Sequence, residues 1–184
     1  ANFDNFNLDL MYALPRQSLE EALQDIDSAL AFEPPHVSAY HLTLEPNTLF
    51  YQQPPPLPDD DTSADMQQRI EERLASAGYD NYETSAFARA SRRCKHNLNY
   101  WQFGDYLGIG AGAHSKISFA DRIERAMRYK QPAAYLKHAL GGTAVQDVHQ
   151  VTVRDMPFEF TMNALRLRDG VPVSLFQERT GLPI

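Results

Sequence analysis

Residues 6–44, FNLDLMYALPRQSLEEALQDIDSALAFEPPHVSAYHLTL, decide the fold. Phe6, Leu8, Leu10 and Tyr12 alternate with Asn7, Asp9 and Met11, the period of two of a strand. Leu14-Pro15 ends that strand, and Ser18 opens a capping box with Glu21 three residues on. Leu19, Ala22, Leu23, Ile26, Ala29 and Leu30 then recur at helical spacing and form one apolar stripe. Pro34-Pro35 stops the helix, because a proline ring fixes φ and offers no N–H. A second strand is expected over 37–44. Strand, helix, strand is a βαβ unit, which predicts a parallel sheet in an α/β domain.

The pattern extends outward from there. A proline-rich loop occupies 52–58, and Asp59-Asp60-Asp61 supply N-cap chemistry for a helix whose buried face is Met66, Ile70 and Leu74. Gly78 terminates it, and 79–87 reads as a third strand. Beyond Gly112 the pattern changes: 123–140 is expected to be mostly helical with an interruption at Pro132. Gly141-Gly142 form a joint, and Phe158, Met162, Leu165 and Leu175-Phe176 mark two or three short helices. The expected division is an α/β portion over 1–115, a helical connector over 116–150 and a small helical domain over 151–184. Three strands cannot close a barrel, so the chain is expected to be part of a larger unit.

Composition narrows the function classes. The 184 residues are 43% hydrophobic and 22% charged, ordinary for a globular protein. A net charge of −7 with scattered Lys and Arg disfavours nucleic acid and acidic membrane surfaces as partners. No apolar run nears the roughly 18 residues that span a bilayer, so stable membrane insertion is not expected and cytoplasm is the default location. Cys94 is the single cysteine, which excludes a disulfide within the chain and a thiolate cluster built from it alone.

Two places could carry chemistry. Asp9 lies mid-strand opposite Leu8 and Leu10, where an aspartate is disfavoured; it is either a satisfied structural carboxylate or a ligand group inside a barrel. Glu45 and Glu83, near the ends of the next strands, are weaker candidates. The second place is residues 96–114, HNLNYWQFGDYLGIGAGAH. In a helix His96 and Tyr100 share a face at i and i+4, with Trp101 beside them. A neutral imidazole is a good iron ligand, and a heme needs flat apolar cover, although a packed structural histidine is the commoner outcome. Gly104, Gly108, Gly110 and Gly112 do not match the dinucleotide fingerprint and point instead to close backbone packing or close approach to a cofactor. His114 follows them without a defined role.

Several segments together resemble the anaerobic coproporphyrinogen III oxidase-like branch of the radical SAM superfamily, and within it the HemW-type heme chaperones. They are NLDLMYALP at 7–15, LTLEPNT at 42–48, YETSAFA at 82–88, the 96–114 segment and FEFTMNALRL at 158–167. The resemblance implies the C-terminal part of a partial (β/α)6 radical SAM barrel followed by a small helical HemN-type C-terminal domain. It implies S-adenosylmethionine, a [4Fe-4S] cluster whose cysteine ligands lie outside this sequence, and heme. Asp9 matches the family's S-adenosylmethionine-contacting aspartate. His96, Tyr100 and Trp101 match its HNxxYW motif linked to heme, with His96 as the iron ligand. The implied function is a heme chaperone, not a classical enzyme, that passes heme to an acceptor protein. The alternative is an oxygen-independent coproporphyrinogen III oxidase, which decarboxylates its substrate oxidatively with S-adenosylmethionine.

Overall fold

The computed structural model describes residues 3–184, which form two compact units that divide between Cys94 and Lys95. In the first, β1 (Asn7–Tyr12) and β2 (His36–His41) pair in parallel, with Asn7 opposite His36 and Asp9 opposite Ser38. Between them α1 (Leu19–Leu30) begins at the expected capping box: Glu21 N–H donates to Ser18 Oγ, and Ser18 N–H donates to the Glu21 carboxylate. A short α2 (Leu49–Gln52), capped by Thr48, precedes the proline-rich loop. The longer α3 (Asp60–Ser76) starts at Asp59, whose carboxylate accepts from Thr62 N–H.

Both longer helices cover the same face of the sheet. Ile26 of α1 and Met66, Ile70 and Leu74 of α3 are fully enclosed with Tyr12, Val37, Ala39 and Phe87 of the strands. Each such aliphatic side chain contributes roughly 1.5–3 kcal/mol on burial. Alternation then puts Asn7, Asp9 and Met11 of β1, with His36, Ser38 and Tyr40 of β2, on the opposite face.

The expected third parallel strand is a correction. Where one strand was expected over 79–87, residues 80–88 contain two, β3 (Asp80–Glu83) and β4 (Ala86–Ala88), joined through Thr84-Ser85, and β4 runs antiparallel to β2. The sheet order is β1-β2-β4-β3, so only one pair is parallel. The reversal carries no Gly or Pro to announce it. Asn81 stabilises it by donating Nδ2 hydrogens to the Glu83 and Ala86 carbonyls.

The second unit opens with α4 (Lys95–Trp101) and continues with β5 (His114–Ser118), β6 (Ile123–Arg128), α5 (Pro132–Leu140) and β7 (Val145–Gln150). The three strands form an antiparallel sheet in the order β5-β6-β7. The mostly helical segment expected over 123–140 is therefore corrected to one strand, β6, followed by one helix, α5, and the connector expected over 116–150 to a three-stranded sheet that includes that helix. Pro132 does not interrupt a helix but starts one, at the first-turn position where its missing N–H costs nothing. Helices α6 (Met156–Ala164) and α7 (Val173–Thr180) follow, but Phe158 and Met162, which marked the first of them, are exposed, and its buried face is Met156, Phe160 and Ala164. Phe103, Ile123, Val151, Met156 and Phe160 form this unit's core. Among the described residues no helix is long and apolar enough to cross a membrane.

Candidate functional site

Each unit presents one candidate site. On the first, Asp9 is exposed on the sheet face that the helices leave uncovered. Asn7, two residues earlier on the same face, donates its Nδ2 hydrogen to Asp9 Oδ1 at 2.8 Å. The Asn7 carbonyl oxygen faces the neighbouring strand, 2.7 Å from His36 Nδ1 and 3.2 Å from Ser38 Oγ. His36 Nε2 lies 2.8 Å from the Tyr82 hydroxyl, which also accepts from the Cys94 N–H at 3.2 Å. His36, Ser38 and Tyr82 are buried, at 4%, 2% and 1% exposure, so this is a polar cluster shielded from water beneath an exposed carboxylate. Burial pushes the His36 imidazole below its ordinary value, and the Asp9 charge opposes this only in part.

Of the weaker carboxylates, Glu83 is buried at the β3 end and accepts from the Thr84 and Ser85 hydroxyls, a satisfied structural role. Glu45 is exposed in a turn where its carbonyl caps Thr48. Neither joins Asp9 in a hydrogen bond. His36, Asn7 and Tyr82 escaped the sequence reading. The signal was there in part: Asn7 and Asp9 share one face at a spacing of two, as do His36 and Ser38, but only the strand register brings the pairs together.

On the second unit, α4 carries His96 and Tyr100 on one face, as the i, i+4 spacing predicts. Their rings meet edge to face with centroids 4.7 Å apart. Tyr106 stacks on Tyr100 at 4.1 Å, which extends the aromatic surface, and its hydroxyl accepts from Arg125, which also pairs with Glu159. The His96 imidazole is exposed. Burial, with Tyr106 adding, raises the Tyr100 phenol above its ordinary value, so it is a neutral ring and not a phenolate at neutral pH. Trp101 is engaged otherwise: the Arg166 guanidinium sits over its ring at 4.4 Å, which ties α4 to the end of α6.

The loop after α4 is held by a buried lysine. Lys116, 1% exposed, donates to the Phe103 carbonyl, Asp105 Oδ1 and Ser118 Oγ at 3.0, 3.0 and 3.2 Å. Burial lowers its pKa despite Asp105. Two of the glycines are explained by packing alone. A Cβ on Gly104 would lie 2.1 Å from Asn99 Oδ1, and one on Gly108 2.2 Å from the His114 carbonyl oxygen. His114 itself is exposed at the start of β5.

These donors suit some groups and not others. Among the described residues no group of three or more His, Cys, Asp or Glu side chains could hold a metal ion. A thiolate-held iron–sulfur cluster does not fit the residues of this sequence, which supply Cys94 alone. A heme does fit in its donor chemistry, because one accessible imidazole beside apolar ring faces suffices.

Comparison with known proteins finds relatives along nearly the whole chain. The HemN C-terminal domain model matches residues 151–184. The chain is 50% identical to the heme chaperone HemW of Haemophilus influenzae over 99% of its own length and 47% of that protein's. It is 49% identical to the heme chaperone HemW of Escherichia coli over 97% of this chain and 46% of that one. Along nearly its whole length the chain is similar to heme chaperones of the HemW type. It spans about half the length of the curated relatives it matches. A heme chaperone HemW from Bacillus subtilis is 33% identical over 97% of this chain and 48% of its own. The fold is that of the radical SAM enzyme coproporphyrinogen III oxidase (HemN) from Escherichia coli, with a TM-score of 0.75 at 20% identity, over 98% of this chain and 44% of that one.

Proposed function

We propose that the chain serves a cytoplasmic heme chaperone that binds heme and S-adenosylmethionine and passes heme to an acceptor protein. The observation that carries this reading is the 50% identity, along 99% of the chain, to a protein named as a heme chaperone. The likeness to the oxidase is one of fold, at 20% identity. The exposed His96 imidazole is the iron ligand in this reading. Tyr100 and Tyr106 offer flat cover beside it, and Trp101 anchors the helix through Arg166. An accessible ligand suits a carrier, since a heme that must leave gains nothing from a sealed pocket.

Asp9 accepts a hydrogen bond from a donor group of S-adenosylmethionine in the same reading. The [4Fe-4S] cluster that the radical SAM family implies takes its ligands from outside this sequence. The test is made on the full-length protein. Loaded with heme, it is expected to bring an apo-hemoprotein acceptor to its holo spectrum. Given coproporphyrinogen III, S-adenosylmethionine and a reductant under anaerobic conditions, it is expected to form no product. Robust turnover, or no transfer to any acceptor, would contradict the proposal.

A further inference from the structure

The polar cluster beneath Asp9 has a direction, and the chemistry of its groups fixes it. An ionised carboxylate only accepts hydrogen bonds, so the group 2.8 Å from Asp9 Oδ1 is the amide nitrogen of Asn7. That choice turns the Asn7 carbonyl oxygen toward β2. This oxygen is an acceptor, so the Ser38 hydroxyl donates to it, and so does His36 through Nδ1–H. A neutral imidazole protonated at Nδ1 has its lone pair at Nε2, which accepts the Tyr82 hydroxyl proton. The Tyr82 oxygen in turn accepts from the Cys94 N–H. Every hydrogen bond in this series points the same way, from the Cys94 backbone to the Asp9 carboxylate. The burial that lowers the His36 pKa favours the neutral ring this order requires.

The series commits one oxygen of Asp9 and, among the described residues, leaves the other without a hydrogen bond on an exposed face. A carboxylate held this way is pre-oriented for a ligand donor, because its rotation is stopped before the ligand arrives. We propose that Asn7, oriented by His36 and Tyr82, is a positioning residue that aims the free oxygen of Asp9 at a hydroxyl or amino donor of S-adenosylmethionine. This inference rests on the reading of Asp9 as an S-adenosylmethionine contact.

Two measurements on the full-length protein test it. The first is the affinity for S-adenosylmethionine by equilibrium dialysis with the labelled compound. Asn7→Asp replaces the donor with a second negative charge and is expected to weaken binding about tenfold or more. His36→Phe removes the donor that orients Asn7 and is expected to weaken it about fivefold. His36→Asn restores an N–H close to where Nδ1 stood and is expected to stay within about threefold of wild type, a rescue that a merely space-filling histidine would not show. Asp9→Asn should weaken binding as well. The second measurement is the nitrogen chemical shifts of the His36 ring in the unmodified protein, where the neutral Nδ1–H tautomer is expected. It decides even where a variant does not fold.

An Nε2–H tautomer or an imidazolium at neutral pH overturns the proposal. Wild-type affinity in Asn7→Asp together with loss in Asp9→Asn also overturns it, while the reading of Asp9 survives. Wild-type affinity in Asp9→Asn instead removes that reading, and the proposal with it.

Discussion

The carboxylate site on the first unit and the histidine site on the second are built in opposite ways. Asp9 is held by Asn7, itself exposed but hydrogen-bonded to the buried His36 and through it to Tyr82, so its geometry is set before any ligand is present. His96 stands exposed on a helix of seven residues and meets its neighbours through ring contacts. In the proposed reading, the difference is that between a fixed seat for a small polar ligand and an open hold from which a large flat one can leave. Pre-organisation lowers the ordering cost of binding, and accessibility allows transfer.

Substitutions can break or sharpen this contrast. The largest expected effect lies in the buried lysine that supports the loop after α4. Lys116→Ala leaves the Phe103 carbonyl and the Asp105 carboxylate without their buried partner and should cost about 2–3 kcal/mol in chemical denaturation. A change below about 0.5 kcal/mol would mean that the loop is held by other contacts. Tyr82→Phe comes next. It strips the partner from His36 Nε2 and from the Cys94 N–H and should cost about 1–2 kcal/mol. Tyr100→Phe, on the exposed site, should change stability by less than about 0.5 kcal/mol. Equal losses from the two tyrosine substitutions would erase the contrast between the sites.

The buried site also carries a pH dependence. The His36 pKa is lowered in the folded chain, so below the ordinary histidine value of 6.5 the unfolded chain takes up a proton that the folded chain refuses. The contribution from His36 is therefore fully present above pH 6.5 and declines as pH falls through that value toward the lowered one. Denaturation midpoints measured between pH 7.5 and 5.5 should fall more in the wild type than in His36→Asn. A flat difference between them would contradict a neutral buried imidazole.

Much of the first unit was legible because both longer helices there have a buried stripe and a polar cap: Ser18 with Glu21, and Asp59 before Met66, Ile70 and Leu74. The reversal at Thr84-Ser85 was hidden, since it carries none of the stronger turn residues Gly, Pro, Asn or Asp. In the second unit, β7 is exposed at every position, so no buried face imposes alternation on Val145 and Val148. β6 alternates no better, and Pro132 reads equally as a break or as a beginning. At the sites, Asp9, His96 and Tyr100 stood out as residue types in unusual company. Asn7, His36 and Tyr106 did not, because their roles depend on strand register and on a stacking partner six residues along.

Heme titration of the full-length protein, wild type against His96→Ala, is the most direct measurement. Loss of most of the ligand-dependent Soret absorbance in the variant, with S-adenosylmethionine affinity nearly unchanged, is the predicted result. An unaltered heme spectrum in His96→Ala would contradict the assignment of this imidazole to the iron.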